Sequence, residues 1–472
     1  MQAVAPPSPM AGANQAYLKG DAASAMSGYV EALQKMPELS SVLWANMARV
    51  RQQYQQSTAT AQRPKAVVCG WELAHNAAGR AHTLAEIYRE FADVEIVGSI
   101  LPQFGRQIWE PIRGCSIPMD AFVAQPGAFM QQAAQLVARH PANVVHLSKP
   151  RAPNILFGSL YKHLWGAQVL MDIDDEELAF VDAEEPLDLN DYLQTHAQLP
   201  PDDQLAQADW TRLAVGMCHE FDGITVSNPA LQAKYGGEVI GHARDPNQFA
   251  NSPDLRQRSR QDHGIADHQK VVMFAGSPRP HKGLLQVAQA LRAINNSDIV
   301  FVIAGSFGAH YQWYKQELLG VQGVNYLFQE NQPIEELPKT LAMADCCVLM
   351  QDVNHPWSQF QIPAKLTDAL AMGIPVLVTE TPALQDVIQC GAVTPVNLIN
   401  FSNTLEQVLI STLSSKAVNG SFYYTKNLNT KIIWTKLNNL SNKLGVLPLS
   451  KNLMILLDNL LSTNSEYFLQ EK

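Results

Sequence analysis

Residues 357–378, WSQFQIPAKLTDALAMGIPVLV, decide how this chain is read. Pro363 suits a first helical turn, because its φ is already fixed and its missing N–H loses nothing there. Leu366 and Leu370, with Ala369 less regularly, give an apolar face at helical spacing. Gly373 then ends the helix where a left-handed residue is wanted. IPVLV is a short apolar run with β-branched residues, the pattern of a parallel strand covered on both faces. Two polar residues stand out on the helix, Lys365 in its first turn and Asp368 three residues on. A helix N-terminus favours an anion, and an added lysine makes a diphosphate a natural guest. Asp368 can accept from a sugar diol; the alternative is a surface i,i+3 pair with Lys365, worth only a few tenths of a kcal/mol.

Working backward, KVVMFAGSPRPHKGLLQVAQAL (270–291) reads as strand, turn and helix, and DIVFVIAGS (298–306) as a strand. GVNYLFQ, a helix holding Leu337 to Met343, and CCVLM (346–350) lead into the opening stretch. The earlier half shows the same alternation. AVVCGW (66–71), VEIVGSIL (94–101), NVVHLS (143–148) and GAQVLMDID (166–174) are strands, with helices to about Phe91 and around 127–138. FDGITVSNPALQAKYGG repeats strand then helix, and EVIGHARD closes the half. Such alternation implies parallel βαβ units, so two doubly wound domains in tandem with a cleft between them.

With 472 residues, two or three domains are expected. Hydrophobic residues at 46% and charged residues at 17% are those of a globular chain. A formal net charge of −10 argues against general nucleic-acid binding. None of Cys69, Cys115, Cys218, Cys346, Cys347 and Cys390 forms a C-x-x-C pair, which favours buried reduced thiols over disulfides or zinc. No basic stretch followed by an apolar core opens the sequence, and no apolar run reaches the ~18 residues of a membrane span. The expectation is a cytoplasmic chain, with peripheral membrane contact left open.

Residues 1–12 are rich in Pro and Ala and are expected to be mobile. AYLKGDAASAMSGYVEALQKMP then places a turn at Gly20-Asp21, one face at Ala25, Tyr29, Ala32 and Leu33, and a stop at Pro37. The segment resembles a single tetratricopeptide repeat, and equally any amphipathic hairpin, acting as a docked cap or a partner-binding appendage. Beyond residue 400, Asn, Lys, Ser and Leu dominate; helices are expected around 403–415 and 431–444, with KNLMILLDNLL packing on the body. The domain scheme is therefore a start and helical hairpin at 1–62, Rossmann-like domains at 63–250 and 251–400, and a helical tail at 401–472.

Ligands in parallel sheets bind at the carboxyl ends of strands. In the second domain that place belongs to GSPRPHKG (276–283), where backbone N–H groups, Lys282 and Arg279 can hold a diphosphate; Gly276, Ser277 and Gly283 shape the turn. It lacks the G-K-[ST] ending of a Walker A loop. In the first domain the strand ends bring Gly79 and Arg80, His146, Lys149 and Arg151, and the acidic run Asp172 to Glu177, including Asp174 and Asp175. That run reads as a metal site, a solvated loop or an acceptor-binding loop, and Lys149 and Arg151 as phosphate ligands or as its ion-pair partners. His242 and Arg244 sit near the expected interdomain hinge.

Lys282-Gly283 and DALAMGIPVLV together resemble the donor-binding motifs of GT-B glycosyltransferases, in particular the retaining family-four group that uses nucleotide-sugars. That group carries G-R-x-x-x-x-K-G and E-x7-E followed by A-M-A-x-G-x-P-V. The resemblance covers roughly 65–400 and places Asp368 at the ribose-binding glutamate, with IPAKL (362–366) similar to a P-x-K-L variant. Ser277 stands where the family has arginine, Arg279 lies two residues later, and Phe360 stands at the first glutamate, which leaves the sugar contact to the Ser358–Ile362 region. Asp174, Asp175 or His146 would replace a histidine that many relatives place near the donor sugar.

The resemblance implies transfer of a sugar from a nucleoside-diphosphate sugar to an acceptor hydroxyl with retention, in glycan or glycoconjugate synthesis. It names Lys282, Lys365 and Arg279 as catalytic, and Gly276, Ser277, Gly283, Pro363 and Asp368 as donor-binding. No cofactor or catalytic metal is implied; the acceptor is a glycan, a lipid-linked sugar or a protein, and the N-terminal helices offer a surface for a protein partner. Two rival readings share the architecture: a UDP-sugar epimerase, and a non-catalytic sugar- or partner-binding protein derived from a transferase.

Overall fold

The computed structural model describes residues 9–59, 61–410 and 415–462. Most of the expected mobile start, and the end of the helix expected at 403–415, lie outside the described residues. The first sheet is built from β1 (Lys65–Gly70), β2 (Asp93–Ile100), β3 (Met119–Val123), β4 (Val144–Ser148), β5 (Gln168–Ile173), β6 (Gly223–Val226) and β7 (Glu238–Val239). Its order is β3-β2-β1-β4-β5-β6-β7. The second uses β8 (Lys270–Ala275), β9 (Ile299–Ala304), β10 (Asn325–Gln329), β11 (Cys346–Leu349), β12 (Val376–Thr379) and β13 (Thr394–Val396), in the order β10-β9-β8-β11-β12-β13. The pairs flanking β1 and β8 are parallel, as the βαβ pattern requires. Two doubly wound sheets are thus present. β3 and β13 escaped the sequence reading: both are short sheet-edge strands, and Pro395 in β13 loses no ladder bond at an edge.

The chain forms two compact units. One holds residues 1–108, 117–225 and 438–472, the other 109–116 and 226–437. Residues 401–472 are therefore not one segment: helices Phe401–Ile410 and Ser415–Asn427 belong to the second unit and helix Lys451–Ser462 to the first.

In the second unit, period-two alternation explains why both faces of the sheet are dry. Along β8, Val271 and Met273 enter one apolar cluster while Val272 and Phe274 enter the other. Helix Ala364–Ala371 covers one face through Leu366, Ala369 and Leu370. Pro363 is its N-cap, with φ −65° and ψ 132°, one position before the first turn. Gly373, at φ 67°, ends it as expected.

In the first unit, helices Pro9–Leu18, Ala22–Lys35 and Ser40–Thr58 precede the sheet. Asp21 caps the second by accepting from the Ser24 N–H at 3.1 Å. Ala25, Tyr29, Ala32 and Leu33 are all buried. A Cβ on Gly28 would lie 2.8 Å from the Ala13 Cβ, so the close crossing of the first two helices needs glycine. The third helix docks on helix Ala152–Trp165: Arg51 donates to the His163 carbonyl and Gln55 to that of Trp165. A tetratricopeptide repeat is not confirmed; the segment is three helices packed on the first unit.

Candidate functional site

Chain order reverses at β8 in the second sheet: β9 and β10 lie on one side, β11 to β13 on the other. Such a switch point opens a crevice at the strand ends. Two loops meet it, Gly276–Gly283 after β8 and Met350–Pro363 after β11. Glycine makes the approach possible. Gly276 has φ 140° and Gly305 φ 152°, and a Cβ on Gly305 would lie 2.1 Å from the Gly276 carbonyl oxygen. A Cβ on Gly276 would lie 2.9 Å from Lys365 Nζ, so the bare backbone is what admits that ammonium. Gly283, at φ 69°, starts helix Leu284–Ile294 and lies against Met350.

Cations converge here. Lys365 Nζ stands 4.2 Å from the centre of the Phe274 ring, and no carboxylate pairs with it among the described residues. Lys282 Nζ donates to Gln361 Oε1 at 2.7 Å, and Gln351 Nε2 donates to the same oxygen at 3.1 Å. The Arg279 guanidinium lies 4.3 Å from the Tyr311 ring centre. Burial first, then Lys282 and Arg279, push the Lys365 ammonium well below its ordinary pKa, against the opposing pull of Asp368. A site that depresses a lysine in this way is short of negative charge.

Asp368 pairs with Arg244, not with Lys365: Arg244 Nε donates to its Oδ1 at 2.6 Å, and both side chains are buried. That corrects the surface-pair alternative. Arg244, expected near a hinge, is fixed further by the Tyr424 hydroxyl and by Thr430 N–H, both donating to its carbonyl oxygen. His242 is buried in the same unit. Ser277 sits in the β8 loop and Pro363 caps the helix that carries Lys365.

Sequence reasoning missed the wall of this crevice. His355 and Trp357 stack with ring centres 3.8 Å apart, and His281 leans on Trp357 at 5.3 Å. Burial, then Lys282, His355, Lys365 and Arg279, lower the His281 pKa to about 3, so the imidazole is neutral at ordinary pH. Gln351 Oε1, His355 Nδ1 and Ser358 Oγ are buried without a hydrogen-bond partner among the described residues. The flagged Ser358–Ile362 region contained Gln361, but nothing in spacing singled out Gln351, five residues past the start of β11.

In the first unit the predicted residues form ion pairs among themselves. Arg80 grips Asp172 through Nε at 2.8 Å and Nη2 at 2.7 Å, with Asp174 3.8 Å away. Lys149 pairs with Asp175, and with Asp174 and Glu177 at 3.3 Å each; Arg151 Nε donates to Glu177 at 2.5 Å. The acidic run is thus balanced by Arg80, Lys149 and Arg151, the ion-pair alternative. Two expectations need correction. His146 is fully buried mid-sheet, between Tyr88 and Thr225, with its pKa lowered to about 4, and Arg80 is buried beneath the acidic run. Neither side chain presents itself to a ligand, because inward-facing strand and helix positions are filled by this polar core. Gly79 lies in the first turn of helix Ala78–Arg89.

A model of the glycosyl transferases group 1 family matches residues 256–417, which take in Arg279, Lys282, Lys365 and Asp368 but not Arg244. The Escherichia coli (strain K12) protein WcaI, assigned to colanic acid biosynthesis as a glycosyl transferase, is 27% identical over 116 residues, 24% of this chain. The match spans 28% of that relative's length. Among solved structures, Anabaena Alr3699/HepE in complex with UDP and glucose is similar at a TM-score of 0.58 and 17% identity, over 81% of this chain and 100% of that one. Sucrose-phosphate synthase from Thermosynechococcus elongatus is similar at a TM-score of 0.55 and 15% identity, over 81% and 99%. At such identities the structural likeness speaks for the fold. With two Rossmann-like sheets and that family match across the second, the chain has the GT-B fold, and its residues 256–417 are similar to the glycosyl transferases group 1 family.

Proposed function

We propose that this protein is a retaining glycosyltransferase that moves a sugar from a nucleoside-diphosphate sugar to an acceptor hydroxyl in glycan or glycoconjugate synthesis. The observation that carries the reading is the meeting of Lys282, Lys365 and Arg279 at the carboxyl end of β8, within the family-matched segment. Two phosphates would supply the negative charge that the depressed Lys365 lacks. Complexes of Anabaena Alr3699/HepE with UDP and with UDP-glucose support a nucleotide donor in this fold.

Departure of the diphosphate is the electrostatically demanding step. Lys282, Lys365 and the N-terminus of helix Leu284–Ile294 would stabilise charge growing on the leaving oxygen, with Arg279 alongside. Asp368, its Oδ1 held by Arg244, would offer Oδ2 to the ribose and so set the donor's register. Gln351, Ser358 and Gln361 would meet sugar hydroxyls in place of the family's first glutamate. The acceptor proton would pass to the departing phosphate, so that no protein base is required, and no metal enters the scheme. The acceptor is a glycan, a lipid-linked sugar or a protein. The setting is cytoplasmic, with the membrane contact argued below.

Incubation with nucleotide-sugars and a panel of acceptors, read by NMR at the anomeric carbon, tests this. A transfer product with the donor's anomeric configuration is expected. An inverted product overturns retention; an epimerised nucleotide-sugar with no transfer overturns the transferase reading.

A further inference from the structure

Residues 407–457 contain six lysines, Lys416, Lys426, Lys431, Lys436, Lys443 and Lys451, and no acidic residue, in a chain whose net charge is −10. The same region is rich in exposed apolar side chains. In the second unit, helix Ser415–Asn427 carries Val418 and Phe422 at 62% and 65% exposure, and the start of helix Thr430–Lys443, up to residue 437, carries Ile432 at 36%. Val418, Phe422 and Lys426 are spaced four apart and share one helix face. The Lys426 ammonium lies 5.8 Å from the Phe422 ring centre, and Lys431 is exposed beside Ile432.

The inward face of the first of these helices is firmly seated. Gly420 lies so close to helix Ala364–Ala371 that a Cβ there would meet Leu370 at 2.8 Å, and the Tyr424 hydroxyl donates to the Arg244 carbonyl at 2.9 Å. The outward apolar residues are therefore not a consequence of a loosely placed helix. Large apolar groups interleaved with lysines, on helices that carry no carboxylate of their own, match an interface between acyl chains and anionic headgroups; the nearby carboxylate is Asp386, which acts on Tyr423.

We propose that, in the second unit, the exposed face of helix Ser415–Asn427 and the start of the helix after it, residues 430–437, dock on an anionic lipid surface, Phe422 and Val418 entering the headgroup boundary and Lys426 and Lys431 meeting the phosphates. The charge pattern selects this occupant: the chain as a whole is acidic and is repelled by such a surface, whereas this region sets exposed lysines beside exposed apolar groups, unlike the other long acid-free stretch, 121–171, whose Lys149, Arg151 and Lys162 are buried. The arrangement would hold helix Ala364–Ala371, which bears Lys365 and Asp368, on an element seated at the membrane. The inference stands apart from the sugar-transfer reading and is tested without turnover.

The full chain is sedimented with vesicles of phosphatidylcholine alone and of phosphatidylcholine with phosphatidylglycerol, at low and high salt. Binding only to the anionic vesicles, weakened by salt, is expected. Each charge lost among Lys426 and Lys431 should weaken it about fivefold. Phe422→Asp should weaken it at least as much, and charge reversal at the exposed Lys19, in the first unit, should change it less than twofold. Unaltered melting temperatures show that the variants fold. No binding to anionic vesicles, or binding undiminished in Phe422→Asp and Lys426→Glu/Lys431→Glu, overturns the proposal. Self-association abolished by Phe422→Asp without any vesicle binding also overturns it, in favour of a second copy of the chain.

Discussion

Gly283 combines φ 69° with a Met350 carbonyl oxygen only 2.1 Å from where a Cβ would stand. Gly283→Ala meets both backbone strain and a clash that no side-chain rotation relieves, so a loss of about 2–4 kcal/mol is expected, read by chemical denaturation. Lys365 behaves in the opposite way. Its ammonium is desolvated among other cations, so Lys365→Met should leave the apo protein as stable or more stable while nucleotide binding is lost. Equal losses of stability and binding would count against a ligand-directed lysine. The pH dependence has a definite sign. Because the Lys365 pKa is lowered in the apo protein, a bound diphosphate must raise it, so binding takes up a proton between the lowered value and 10.5, and affinity falls as pH rises through that window. Calorimetry in buffers of different ionisation enthalpy measures the uptake. Asp368→Ala, which strands the buried Arg244 guanidinium, should cost about 3–5 kcal/mol.

At the scale of elements, His140 follows helix Phe129–Arg139 and bridges Glu95 on β2 and Asp120 on β3, both at 2.8 Å. Burial lowers its pKa, but the two carboxylates outweigh burial and the net shift is upward. A raised folded pKa gives stability that is fully present below the unfolded value near 6.5 and is lost as pH rises through the folded value. Unfolding free energy should therefore fall on the alkaline side of 6.5, more steeply than in His140→Gln. The elements themselves were largely legible. Runs dominated by apolar residues announced β1, β4, β5, β8, β9, β11 and β12, because parallel strands covered on both faces carry a polar residue only where it is paired, as His146 in β4 and Asp172 in β5 are. β3 and β13 sit at sheet edges, where that pressure is absent. In the site, Lys282, Lys365 and Asp368 could be found from their helix and turn positions. The partner of Asp368 could not, since Arg244 lies 124 residues away in sequence. Nor could the burial of His146, whose hydroxyl partners Tyr88 and Thr225 come from other elements.

At the scale of the whole molecule, one carboxylate ties the end of the chain to the first unit. Asp222 accepts from Lys162 Nζ at 2.8 Å, from Val169 N–H at 2.7 Å and from Leu447 N–H at 2.6 Å. Composition marked the last 70 or so residues as different but gave no sign that they divide between the two units. Asp222→Ala should leave Lys162 buried without its carboxylate, cost about 3–5 kcal/mol and increase hydrogen exchange around Leu447. The central claim concerns the second unit: a cationic crevice at the β8–β11 switch point that receives a nucleoside diphosphate. A thermal-shift screen against UDP, GDP, ADP and their sugars, on the unmodified protein and on Lys282→Ala and Lys365→Ala, tests it most directly. The prediction is a rise in melting temperature with one nucleotide, lost in both variants. No shift with any nucleotide, or a shift retained in both variants, would contradict it.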